Sequence, residues 1–219
     1  MESDLPSDRP AGWFLVGAAV LTTLALTHHP SVSSHEPEAV VRDLAAGGRT
    51  DGIFHASIIV MIAVLYLGLV GFARRRGLQS LLTVAGLVAA TAGLAGLTGA
   101  ALIDGFFFPG FGAYLAHGNP ALIEPGSQII SAAALTLQIL AKFGVFALAV
   151  AIVLWSIGLF DRSRAHVALA IVGFVAAAAL VIVTATVATR LSPHNVALVF
   201  GLQALWYAFA GVLMIQRRL

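Results

Sequence analysis

The sequence predicts an all-α protein, a polytopic membrane bundle of six transmembrane helices with both termini cytoplasmic. Composition is the first support. Of 219 residues, 59% are hydrophobic and only 10% charged, against roughly 25% charged in a soluble domain. Mean hydropathy is +0.96. The second support is the spacing of long apolar runs between clusters of helix breakers. Six spans of about 20 residues use most of the chain, so residues 1–219 read as a single transmembrane domain.

The runs fall at 13–27, 52–73, 78–103, within 127–159, 165–189 and 196–215. Each has the length and low charge of a spanning helix. Between them stand His29-Pro30, Gly47-Gly48, Arg74-Arg75-Arg76-Gly77, Asn119-Pro120, Asp161-Arg162 and Ser192-Pro193, residue types that punctuate helices. Span 1 reads as a retained helix rather than a signal peptide. Glu2, Asp4 and Asp8 outnumber Arg9 in the segment where a leader carries positive charge. Span 3 carries small residues at helical spacing, Ala89/Gly93 and Ala92/Gly96/Ala100, and span 5 carries Gly173/Ala177. Such pairs let helices approach closely.

Orientation follows from the arginines. Arg9, Arg74, Arg75, Arg76, Arg162, Arg164, Arg217 and Arg218 collect on one side, and Arg42, Arg49 and Arg190 on the other. The positive-inside rule puts the first set in the cytoplasm of a cell bounded by an inner (plasma) membrane. His28, His29, His35, His55, His117 and His194 then share the extracytoplasmic side, and only His166 lies opposite.

The chain has no cysteine, which excludes disulfides, thiolate metal sites and c-type haem attachment. A net charge of +2 gives no case for nucleic-acid binding. The expected partners are the lipid bilayer and a membrane-protein partner or a second copy of the chain.

Chemistry concentrates at the histidine-rich ends of the spans. His55 follows Thr50-Asp51-Gly52, a plausible helix start. A histidine in the first turn of a helix is held neutral, the form that binds metal. Asp104 closes span 3 inside Ile103-Asp104-Gly105-Phe106-Phe107-Phe108-Pro109. A carboxylate beside an apolar helix end needs a partner, and the glycine and proline beyond it predict a sharp exit. His28 and His29 end span 1. Adjacent residues point about 100° apart, so one of them faces the bundle, and His29 is the choice. His194 opens span 6 as His55 opens span 2. Lys142 is the only lysine and lies inside span 4. Ser127, Ser131, Gln138 and Lys142 fall within about 60° of one another on a helix, and Lys142 is expected near the depth of His55 and Asp104. The apolar stretch 105–126 reads as an interfacial or re-entrant cover. His35, His117, Glu36, Glu38 and Glu124 read as solvated loop residues.

His29, His55, Asp104 and His194 thus come from four helices and one layer. Three imidazoles and a carboxylate suit zinc, iron or copper. A metal there would activate water and make a membrane hydrolase, and two facing histidines would instead hold haem b in a redox protein. A second function class is a small transporter or proton-coupled carrier using Lys142 and Asp104. A third is a structural or assembly subunit without chemistry of its own.

His29-Pro30 after span 1, His55 opening span 2, and Asp104-Gly105-Phe106 with Pro109 after span 3 resemble uncharacterised small bacterial six-span membrane proteins. The resemblance covers roughly the first half of the chain and implies no particular activity. The histidine, serine and aspartate ingredients are also similar to those of the seven-span zinc hydrolases related to alkaline ceramidase. This chain departs from them in having one span fewer and no terminal His-x-x-x-His.

Overall fold

A computed structural model describes residues 9–28, 36–160, 163–186 and 193–219, with side chains throughout except at 184–186 and 193–199. Among these residues the chain is all-α. Its helices are α1 (Arg9–Thr27), α2 (Pro37–Arg76), α3 (Leu81–Leu102), α4 (Phe108–Ala116), α5 (Ile123–Ile157), α6 (Arg164–Thr186) and α7 (Pro193–Ile215). Five helical segments are long and apolar enough to cross a membrane: Arg9–Thr27, Pro37–Arg76, Leu81–Ala116, Pro120–Ile157 and Arg164–Val183. A sixth apolar stretch, Phe200–Ile215, is shorter and belongs to α7. The protein is therefore a multi-pass membrane protein.

The helices form a closed ring. Round it, α1 packs on α2, α2 on α3, α3 on α5, α5 on α6, α6 on α7 and α7 back on α1. Neighbours approach at small residues, as expected where lipid removes any hydrophobic drive for helix association and close packing has to supply it. The α3–α5 seam is the most extensive. There a Cβ on Gly93 would stand 2.8 Å from the Gly144 carbonyl oxygen, and one on Gly144 would stand 2.7 Å from Leu97. Gly12 and Gly211 make a similar contact between α1 and α7. The ring is filled at the arginine-rich end by aromatic side chains. Trp155 and Trp206 stack with centroids 5.8 Å apart, and Phe72 meets Trp206 edge-on at 5.3 Å. Pairs of this kind add about 0.5–1.5 kcal/mol beyond burial.

Two sequence expectations about boundaries are corrected. Gly47-Gly48 does not break the chain. Instead α2 runs unbroken for 40 residues, about 60 Å, twice the thickness of the hydrocarbon core. Nor does the chain exit sharply at Gly105 and Pro109. The rod of α3 continues through a single π turn at Ile103–Phe107 into α4, then through a 3₁₀ turn at Pro120–Leu122 into α5. The cause is packing. Glycine inside a helix costs only about 1 kcal/mol, and here Gly48 and Gly112 lie where α2 and α4 meet. Gly48 lies against Pro109, and Gly112 against Leu44 and Ala45, so the first turns of α2 and all of α4 support each other. Pro109 follows directly on the π turn, at the start of α4.

Gly93→Ala is expected to push α3 from α5 against a backbone atom that cannot rotate away. The loss should be about 1–3 kcal/mol, read as a lower melting temperature in detergent. Gly17→Ala, with nothing within 4 Å of the new methyl, should not lower it.

Candidate functional site

The two helical rods α2 and α3–α4 run antiparallel, and the π turn faces α2 at one level. A π turn adds a residue to one helical turn and re-aims the side chains around it. Here it brings Asp104 round to α2. Gly105, next in the turn, lets the backbones close, since a Cβ there would overlap His55 Cβ and its ring.

The result is a defined pair. His55 Nε2 lies 3.3 Å from Asp104 Oδ2. On the other side of the ring, His55 Nδ1 is 2.9 Å from the Asp51 carbonyl oxygen. A carbonyl only accepts, so Nδ1 carries the hydrogen and Nε2 faces the carboxylate. His55 is 3% exposed, whereas the Asp104 side chain is 34% exposed, so the carboxylate opens outward and the imidazole does not. Phe54 meets the imidazole ring edge-on at 5.3 Å. Beside the pair, a shallow groove of about 590 Å³ runs between α2 and α4. It is floored by Gly48, Gly52 and Gly105, carries Arg49 at its rim, and has neither His55 nor Asp104 in its lining.

This geometry corrects the reason given for His55. It does not sit in a first turn, because α2 begins at Pro37 and the N-cap position is Glu36. What orients the imidazole is the Asp51 carbonyl one turn back in the same helix, not a helix terminus.

The other predicted residues divide. His29 lies outside the described residues, as does His35. His194 falls in the first turn of α7, but its side chain is outside the described ones. His28 is exposed and turns back on its own helix, with Nδ1 3.0 Å from the Leu24 carbonyl. The contacts Ala11–Gly71, Leu15–Gly68 and Thr22–Met61 run antiparallel along α1 and α2, and extending them brings the end of α1 level with His55. His117 is exposed and bonds to Ala113. His166 is buried at the opposite end and donates from Nε2 to the Arg218 carbonyl at 2.8 Å.

Lys142 is half-buried in α5. Gly96 of α3 packs on Leu140, Phe143 and Gly144, which puts Lys142 about two helical turns, some 10 Å, from Asp104 along the α3 axis. The backbones of the two positions are therefore offset along the bundle.

Among the described residues, no three histidine, aspartate or glutamate side chains group closely enough to hold a metal ion. Sequence reasoning gave no weight to Gln203 as a core residue. It is 1% exposed and donates from Nε2 to the Val145 carbonyl at 3.0 Å.

The fold and site define a multi-pass α-helical membrane protein with a histidine–carboxylate pair at one end of its bundle. Comparison with protein-family models, with curated proteins and with solved structures returns no match.

Gly105→Ala is expected to force α3–α4 off His55 and lower the melting temperature, whereas Gly110→Ala, with nothing within 4 Å of its Cβ, should not. In a double-mutant cycle, His55→Ala and Asp104→Ala should be non-additive by about 0.5–3 kcal/mol. Simple additivity would mean the two side chains do not interact.

Proposed function

We propose that this is an inner (plasma) membrane protein that binds a transition metal ion at its histidine-rich, extracytoplasmic end through His55 and Asp104. The observation that carries the reading is the 3.3 Å separation of His55 Nε2 and Asp104 Oδ2. Two donors on one tetrahedral zinc, each about 2.0–2.2 Å from the ion, stand about 3.3–3.5 Å apart.

The far side of the ring supports the same reading. Metal-bound histidines commonly donate their other N–H to a carbonyl or carboxylate, which fixes the tautomer. His55 Nδ1 has that partner in Asp51. Asp104, partly exposed, gives the ion a route to the site. His29 and His194 are the candidates for the remaining positions, and zinc, iron or copper each accept such a nitrogen and oxygen set. A position left to water would make the site a membrane metallohydrolase. The metal form of the reading is preferred to the haem b form because the groove beside the pair has no histidine in its lining.

The test is elemental analysis and a visible spectrum on the purified protein. About one metal ion per chain is expected, lost in His55→Ala and in Asp104→Ala, and retained in His166→Ala. A preparation with no stoichiometric metal and no Soret band would overturn the proposal. A Soret band without other metal would replace it by the haem form.

A further inference from the structure

Among the described residues, the core of the ring holds four polar side-chain atoms with no hydrogen-bond partner: Ser156 Oγ, Gln203 Oε1, Trp206 Nε1 and Tyr207 OH. Their residues are between 0% and 2% exposed. A dry, unpaired polar atom is costly in any protein core and more so within a membrane. Four in one core call for a common explanation.

Their placement supplies one. Ser156 falls within the same arc of about 60° on α5 as Ser127, Ser131, Gln138 and Lys142. On that face Ser156 stands beyond the apolar Val145, Ala149 and Ile152, a gap in α5 that the polar side chains of α7 flank. The other three atoms belong to α7. Gln203 and Tyr207 are one turn apart on one face of it, and the rings of Trp206 and Tyr207 are 5.7 Å apart. Gln203 is tied to the stripe's own helix through the Val145 carbonyl. From α6, Gly173 completes the enclosure. A methyl group added there would collide with Ser156 Oγ and would lie 2.9 Å from Trp206 Nε1, so those two atoms converge on one glycine. The neighbouring Trp155 differs, since its Nε1 donates to the Thr83 carbonyl at 3.1 Å.

We infer that the core between α5, α6 and α7 binds a file of water molecules that partners Gln203, Tyr207, Trp206 and Ser156 and extends the polar stripe of α5 from Lys142 toward the arginine-rich end. Water fits because the set mixes donors and acceptors. Trp206 Nε1 only donates, Gln203 Oε1 only accepts, and the two hydroxyls do both. A buried water typically makes two to four such bonds. The inference is independent of the metal site, which uses none of these residues.

Radiolytic hydroxyl-radical labelling of the full chain in lipid nanodiscs tests it, because bound water generates radicals in place. Trp206 and Tyr207 are expected to be modified faster than Met214, an equally buried and intrinsically reactive side chain of the same helix. Labelling of both at the Met214 rate would overturn the inference. Stability gives a second readout. If water partners them, Tyr207→Phe and Ser156→Ala lower the melting temperature. If the atoms are dry, removing them raises it, and the inference fails.

Discussion

The fold depends on the closeness with which its helices approach. Inside lipid, burying a leucine against another leucine gains little, because acyl chains are as apolar as the protein. Association then rests on dispersion across close contacts and on the few polar interactions those contacts permit. Gly93 and Gly144 supply this at the α3–α5 seam, and Gly105 supplies it where α3 passes into α4. The last also has a chemical result. Only with a hydrogen in place of a side chain at Gly105 do the two rods come near enough for Asp104 to reach His55.

The same constraint accounts for the length of α2 and for the π turn. Both place polar backbone and side-chain groups where something can satisfy them. Beyond the hydrocarbon core, α2 carries Glu38, Arg42, Asp43, Arg49 and Asp51 on a helix that α4 braces. A π turn at Asp104 is less regular than an α turn, and such turns concentrate at functional sites. The arginine-rich end is held by comparable means. Arg76 donates to the Gly158 carbonyl and Arg75 to that of Leu219. Cationic side chains there meet the carbonyls that helix ends leave over.

Much of the candidate site was legible in the sequence, although for partly mistaken reasons. His55 and Asp104 were each singled out as polar groups at the end of an apolar run, and they meet. The reason given for His55, a helix start at Asp51, fails because Gly47 and Gly48 are carried through a continuous helix by packing against α4. The expected sharp exit at Gly105 and Pro109 fails for the same cause. Lys142 was identified as exceptional, but its depth depends on how α5 slides against α3, which no local pattern records. Ser156, Trp206 and Tyr207 gave no signal, because in sequence they are ordinary residues of apolar helices. Only burial and the absence of a partner among the described residues set them apart.

The sequence by itself determined that this chain is helical, apolar enough to live in a membrane, and polarised, with arginines gathered at one set of helix ends and histidines at the other. Those properties come from transfer free energies and helical spacing, which sum residue by residue along the chain. Tertiary structure alone decided where the helices end, which face each one presents, and which polar atoms share a level. These depend on the register between segments distant in sequence, and that register is set by which side chain, or which missing one, fills the gap between two helices.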